Sequence, residues 1–158
     1  MKVAVYIGKS DAKSEERLVG LIRSLEMGGC EHYIVEGGLL PDTDMVLSVG
    51  GDGTFLSVSK LVADSGIPVV GVNMGRVGFL SENRPEDVAE ALLSGDYTIE
   101  DRALLCAVQI DADGSMGEPV YALNEITIHR SGAAVLGVDV SVDGKKLPTY
   151  WADGLIVS

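Results

Sequence analysis

The chain has 158 residues, 46% of them hydrophobic, and a formal net charge of −12 at pH 7. This length can bury one good core, or one domain and part of another, while the negative charge argues against nucleic acid or an anionic membrane as a partner. No apolar run approaches the ~20 residues of a membrane span, and the first residues are too strand-like for a signal peptide, so we expect a cytoplasmic protein.

The first part of the chain alternates strands and helices in the order that a parallel α/β sheet requires. Strands are predicted at residues 2–7, 33–35, 44–49 and 67–72. A first helix is predicted to begin at a Ser14 cap and to end at Gly28-Gly29, and a second to begin with Thr54 as its N-cap. A third runs from Pro85 to about Ser94, before Gly95. This pattern predicts an α/β domain over residues 1–96.

The run Gly50-Gly51-Asp52-Gly53-Thr54 stands where a buried strand ends and an amphipathic helix begins. Glycines at such a turn let the backbone approach a ligand, and the N–H groups and the helix dipole attract phosphate oxygens. An acid fits there if Asp52 holds a magnesium ion, orients a sugar hydroxyl, or takes a proton from that hydroxyl during phosphoryl transfer. The run is neither a Walker A motif nor a dinucleotide fingerprint. Alternatively, it is a structural turn in which Asp52 is a local cap.

A second glycine-rich run, Asn73-Met74-Gly75-Arg76-Val77-Gly78-Phe79-Leu80, directly follows the strand predicted at residues 67–72. Two strand ends that carry such turns can face one crevice, where Asn73 offers a donor and an acceptor and Arg76 can meet a phosphate. Alternatively, Asn73 forms the turn and Arg76 is a solvated surface charge.

After Asp96 the pattern changes to apolar stretches at residues 103–110, 120–128 and 135–142, separated by the turns Asp113-Gly114 and Asp143-Gly144. Such a pattern predicts a β-rich domain over residues 97–158. Asn124-Glu125 lies within one predicted strand, where adjacent side chains point to opposite faces. An amide can read an adenine edge and a carboxylate can accept two ribose hydroxyls, although a bulge or a strand edge would accommodate the pair without any ligand.

These motifs, together with Asp153-Gly154-Leu155-Ile156-Val157-Ser158, resemble those of the NAD kinase family in order and approximate spacing. The resemblance covers nearly the whole chain. It implies transfer of the terminal phosphoryl group of ATP, or of polyphosphate in some members, to the adenosine 2′-hydroxyl of NAD with Mg²⁺. It also implies a Rossmann-like α/β domain followed by a β-sandwich domain, and homodimers or homotetramers.

The resemblance also implies roles for residues of the first domain. Asp52 matches the family's catalytic aspartate, which is proposed to activate the 2′-hydroxyl. Its neighbours approach the phosphates, so the expected substrate contacts in this loop are Gly51, Gly53 and Thr54. The second glycine-rich run matches a loop that shapes the site, through Asn73 and Gly75, and Asn73 is also an expected substrate contact.

In the second domain, Asn124 and Glu125 match the pair that holds the adenosine portion of NAD, and Asp153 matches an aspartate that contacts the dinucleotide. No residue is expected to be a dedicated metal ligand. Two alternatives remain open for the function. One is a related lipid or sugar kinase of the same superfamily, and the other is a non-catalytic nucleotide-binding module.

The chain is expected to be a fragment, because residues 155–157 read as an apolar strand and a natural domain seldom ends inside one. Its β-rich domain is then partial. We expect the parent protein to be the enzyme and this piece to be weakly active or inactive alone.

Overall fold

The structure is a computed structural model that describes residues 1–8, 12–75 and 78–158. It divides into two compact units, Met1–Leu104 and Leu105–Ser158. The domain boundary between residues 96 and 97, which the change in sequence pattern indicates, stays a prediction. Arg76 lies outside the described residues.

The first unit is built on a four-stranded parallel sheet in the order β2-β1-β3-β4. Its strands are β1 (Lys2–Ile7), β2 (Glu31–Ile34), β3 (Met45–Val49) and β4 (Val69–Val72). All five residues of β3 are buried, as expected for the central position of a parallel sheet that is covered on both faces. The predicted α/β class with a parallel sheet is therefore confirmed.

The described helices of this unit are α1 (Ala12–Met27), α2 (Asp52–Val62) and α3 (Pro85–Ser94). The predicted ends of α1 and α3 are confirmed, because Gly29 and Gly95 have positive, left-handed φ angles, the conformation that commonly closes a helix. The start predicted for α1 at Ser14 is wrong. The helix already includes Ala12 and Lys13, both good helix formers, so a polar residue near its start does not mark the first turn.

The helices cover opposite faces of the sheet. Side chains of α1 and α3 pack with alternate residues of β1 and β3 in one core cluster, which includes the fully buried Leu25 and Leu47. The other cluster joins Val58 and Val62 of α2 to Ala4 and Val46. Full burial of each such leucine or valine stabilises the fold by about 1.5–3 kcal/mol.

This arrangement creates a topological switch point between β1 and β3. The helix that follows β1 lies on one face of the sheet, and the helix that follows β3 lies on the other. In doubly wound sheets, a crevice opens at the carboxyl ends of two such strands, and ligands bind there. The run from Gly50 to Thr54 follows β3 and therefore lies at this crevice.

The second unit consists of short antiparallel strand pairs, as expected for part of an all-β domain. These strands are β5 (Leu105–Ala107), β6 (Val120–Ala122), β7 (Ile126–His129), β8 (Leu136–Val138), β9 (Ser141–Val142), β10 (Lys145–Lys146), β11 (Tyr150–Ala152) and β12 (Gly154–Val157). The predicted turn at Asp143-Gly144 is confirmed, since it joins β9 to β10 and both of its residues have positive φ angles, as a tight hairpin turn requires. Among the described residues, no helix is both long and apolar enough to cross a membrane.

Candidate functional site

The glycine loop continues the central sheet before it turns into α2. The N–H of Gly8 donates to the carbonyl of Val49 and the N–H of Gly50 donates to the carbonyl of Val72, both at 2.9 Å. Gly50 has a φ of +153°, which side chains rarely tolerate, and a Cβ placed on it would overlap the Thr54 side chain. A glycine is thus required where the loop leaves β3.

Thr54 does not cap the helix, so this prediction is wrong. The N-cap is Gly51, whose carbonyl accepts hydrogen bonds from the N–H groups of Thr54 and Phe55 at 2.9 and 3.2 Å. The Thr54 side chain instead fills the space against Gly8 and Gly50, where a Cβ on either glycine would overlap it. Sequence reasoning missed Gly8, although a glycine directly after a predicted strand was a usable signal.

The carboxylate of Asp52 reaches away from its own helix to the residues that follow β4. Its Oδ2 accepts the N–H of Phe79 at 2.9 Å, and its Oδ1 accepts the N–H groups of Leu80 and Ser81 at 2.9 and 3.1 Å. The alternative that Asp52 is a local cap is therefore wrong, since its partners lie 27 to 29 residues further along the chain.

These hydrogen bonds determine the protonation of Asp52. The N–H groups of Phe79, Leu80 and Ser81 hold the pKa of this carboxyl below its usual value, with the Phe79 bond contributing most, because they favour the charged form. A carboxylate has about four positions that accept hydrogen bonds. With two used on Oδ1 and one on Oδ2, one position on Oδ2 is left for a ligand. At neutral pH, Asp52 is thus an ionised acceptor with room for one hydroxyl or one cation.

Two glycines allow the segment at residues 78–81 to come this close. A Cβ on Gly78 would overlap the Asp52 carboxylate, and a Cβ on Gly71, within β4, would overlap the carbonyl of Leu80 and the Cα of Ser81. A glycine inside a strand often marks the close approach of another backbone. As a glycine within a predicted strand, Gly71 could have been recognised from the sequence. No role was predicted from the sequence for Gly71 or for Gly78.

Asn73 holds the same segment from its other side. Its amide nitrogen donates to the carbonyl of Ser81 at 2.9 Å, and its side-chain oxygen accepts the N–H of Gly75 at 2.7 Å. The residue is only 4% exposed. The structure thus brings Asp52 and Asn73 together through residues 78–81, and gives Asn73 the geometry of a turn-forming residue. Its role as a substrate contact stays a prediction.

Asn124 and Glu125 lie in the loop between β6 and β7, so their predicted place within a strand is wrong. Two consecutive polar residues interrupt the apolar run, and the strand pairing stops on either side of them. Both residues are accessible to solvent, and no hydrogen bond to either side chain is recorded within the described part of the chain. They are open to a ligand but are not held in place for one.

Asp153, in the second unit, is held by a residue that sequence reasoning missed. Its Oδ1 lies 2.8 Å from Nε of Arg130, and its carbonyl accepts the N–H of Arg130 at 2.9 Å. The adjacent Gly154 is needed for this approach, since a Cβ there would overlap the carbonyl of Ile128. An arginine directly after an apolar strand was the available signal. The Asp153 side chain is still 67% exposed.

The first turn of α2 offers groups for anion binding. The leading N–H groups of a helix have no partner within it, and the helix dipole makes this end positive. Within the described ranges, no cluster of three or more His, Cys, Asp or Glu side chains could hold a metal ion. Mg²⁺ in phosphoryl-transfer sites needs only one or two carboxylates beside waters and substrate phosphates. The free position on Asp52 Oδ2 fits such a single contact.

The chain is similar to known proteins over most of its length. Residues 31–96 match the ATP-NAD kinase N-terminal domain. A protein named NAD kinase from Bacteroides fragilis is 34% identical over 185 residues, covering 100% of this chain and 62% of that protein. NAD kinases from Flavobacterium psychrophilum and Methanothermobacter thermautotrophicus are 41% and 42% identical over 122 and 121 residues, covering 73% and 74% of this chain and 40% and 41% of those proteins.

The chain spans 62% of the length of the Bacteroides relative and smaller shares of the other two. The matched residues 31–96 include β3, the glycine loop, β4 and the segment that binds Asp52. Residues 31–96 thus match the N-terminal domain of the NAD kinase family, and the whole chain is similar to a member of that family.

Proposed function

We propose that the complete protein containing this chain is an NAD kinase, which transfers the terminal phosphoryl group of ATP or polyphosphate to the adenosine 2′-hydroxyl of NAD. The observation that carries the proposal is the Asp52 carboxylate, kept ionised at the switch-point crevice with one acceptor position free. Relatives named NAD kinase support it.

In this proposal, Asp52 orients the 2′-hydroxyl by accepting its hydrogen bond on Oδ2. Phosphoryl transfer passes through a loose transition state, so alignment of the nucleophile and stabilisation of charge matter more than early proton removal. A carboxylate with a lowered pKa suits this role, because it is a weak base but a constant acceptor. The 2′-oxygen bonds to the terminal phosphorus, the bond to the bridging oxygen of the donor breaks, and the proton passes to Asp52.

The phosphates are proposed to lie against the backbone of Gly51, Gly53 and Thr54, at the positive end of α2. Mg²⁺, when bound, would neutralise negative charge that develops on the donor phosphates. Asp52 has one free acceptor position, which would take either the hydroxyl or the ion; with the hydroxyl there, the ion would be held by donor phosphate oxygens and waters.

The acceptor is proposed to be recognised mainly by the second unit. Asn124 and Glu125 hold the adenosine portion of NAD, where an amide suits the adenine edge and a carboxylate suits the ribose hydroxyls. Asp153 contacts the dinucleotide, with its carboxylate already oriented by Arg130. By the same resemblance, we propose that the complete protein is a cytoplasmic homodimer or homotetramer.

The test is to incubate the complete protein, and separately this chain, with NAD, Mg²⁺ and either ATP or polyphosphate, and to measure NADP with an NADP-specific dehydrogenase. NADP formation by the complete protein supports the proposal and identifies the donor. Phosphorylation of a lipid or sugar alcohol in a parallel screen, without NADP, would replace it with the related-kinase alternative. Tight NAD binding without turnover by the complete protein would favour a non-catalytic module.

A further inference from the structure

Asp52 and residues 78–81 hold each other in place. Three backbone N–H groups of this segment converge on one carboxylate, and the Asn73 amide binds the Ser81 carbonyl at the segment's far end. Ser81 is fully buried, whereas Phe79 is 97% exposed. The exposed ring of Phe79 contributes little to holding this backbone, whereas the polar contacts at Asp52 and Asn73 fix it directly.

Hydrogen bonds from N–H groups to a charged acceptor are about twice as strong as those between neutral groups. Such bonds also fix direction, because each lone pair of the carboxylate can be aligned with only one donor. With Oδ1 occupied by Leu80 and Ser81, the orientation of the carboxylate is set, and the free position on Oδ2 points in one direction only.

Gly78 is the residue on which this contact depends. A Cβ at this position would overlap Oδ1 and Cγ of Asp52 and crowd Oδ2. The smallest possible side chain at residue 78 would therefore displace the carboxylate or push the segment away. Gly20, in contrast, lies in α1 with nothing within 4 Å of its Cβ position, and provides a matched glycine for comparison.

We propose that residues 78–81 are a positioning element for the phosphoryl transfer, which aligns the Asp52 carboxylate through three backbone N–H groups and requires glycine at residue 78. Gly78 is then a positioning residue that acts through Asp52. This inference rests on the proposed kinase activity. It goes beyond that activity by assigning the alignment of its central carboxylate to a neighbouring backbone segment.

The test compares Gly78→Ala with Gly20→Ala in the complete protein, each in the wild-type and in the Asp52→Asn background. Gly78→Ala should lower kcat about 10²-fold, the effect of a misplacement of about 1 Å, with smaller changes in the KM for ATP. In the Asp52→Asn background, Gly78→Ala should cause almost no additional decrease in kcat, because the carboxylate that it misplaces is already absent. Gly20→Ala should leave kcat unchanged in both. Equal losses from Gly78→Ala in the two backgrounds would overturn the proposal.

A second variant and a second readout guard against misfolding and against failure of the proposed activity. Asn73→Ala removes the hydrogen bond from the Asn73 amide to the Ser81 carbonyl, and the acceptor of the Gly75 N–H, without adding a side chain. It should show the same dependence on Asp52. Amide hydrogen exchange at Phe79, Leu80 and Ser81 should accelerate at least about tenfold in Asp52→Asn, because hydrogen bonds to a charged group are lost. Unchanged exchange would overturn the proposal even with activity present. If no NADP is formed but exchange accelerates, the proposed function fails while the anchoring of the segment stands.

Discussion

Two carboxylates proposed for the same reaction, Asp52 and Glu125, are presented in opposite ways. Asp52 is oriented by three backbone hydrogen bonds before any ligand arrives, while Glu125 stands exposed in a loop between two short strands. A group that acts on the reacting atoms gains from being held in advance, because no reorganisation is needed during reaction. A group that binds the substrate without acting on the reacting atoms can be ordered by the ligand itself. The comparison predicts that substitution of Asp52 lowers kcat, whereas substitution of Glu125 raises the KM for NAD.

The largest effect is expected from Asp52→Asn in the complete protein. The amide cannot accept a proton, and its nitrogen faces a backbone N–H in place of an oxygen, so kcat should fall about 10²–10⁴-fold. NADP formation measured at saturating substrate checks this. Asp101→Asn, at an exposed carboxylate outside the site, is the matched control and should retain full activity. An unchanged rate in Asp52→Asn would remove Asp52 from the mechanism.

Substitution in the glycine loop that presents Asp52 should affect the stability of the fold. Gly50→Ala places a side chain at a strained positive φ and against Thr54. It should therefore lower the free energy of unfolding by about 1–3 kcal/mol. Gly20→Ala, in an unobstructed helix, should raise it by about 0.5–1 kcal/mol. Urea unfolding followed by circular dichroism measures both variants. Equal stabilities would mean that the glycine loop is not held in the geometry described.

Glu125→Ala should give the contrasting result. It should raise the KM for NAD about tenfold, because a charged hydrogen-bond acceptor is lost, while the KM for ATP stays unchanged. As Glu125 is exposed, the free energy of unfolding should change by no more than about 0.5 kcal/mol. Glu118→Ala, at another exposed carboxylate of the same unit, is the control. Equal increases in both KM values would contradict a specific contact with the acceptor.

Sequence reasoning succeeded where structure depends on local signals. Strand and helix alternation, the ends of α1 and α3 at Gly29 and Gly95, and the place of the glycine loop after β3 follow from periodicity and turn residues alone. The partners of Asp52 could not be found in this way, because they lie 27 to 29 residues away and bind through backbone N–H groups, which nearly every residue possesses.

Contacts between residues that are distant in sequence also explain the other differences between prediction and structure. The need for glycine at residues 8 and 78 comes from side chains of Thr54 and Asp52 that are distant in sequence. Thr54 was expected to cap a helix because its residue type suits a cap, but Gly51 holds that place and leaves Thr54 to pack against strand ends. For Asn124 and Glu125, an apolar run predicts that strands form but not where their pairing stops.

The smallest expected effect is the pH dependence of stability that Asp52 contributes. Its pKa in the folded protein is lowered from the ordinary value of 3.8 by the N–H groups of Phe79, Leu80 and Ser81. A carboxyl with a lowered folded pKa contributes stability that is fully present above the unfolded value and is lost as the pH falls through the folded value. The difference in unfolding free energy between the wild type and Asp52→Asn should therefore be constant near neutral pH and shrink below about pH 4.

Urea unfolding across this range measures the difference, and subtraction removes the contributions of other carboxyls with lowered pKa values, such as Asp87 and Asp113. A difference for Asp52→Asn that persisted unchanged in acid would mean that its three hydrogen bonds do not hold the charged form, and the contrast between the two carboxylates would fail.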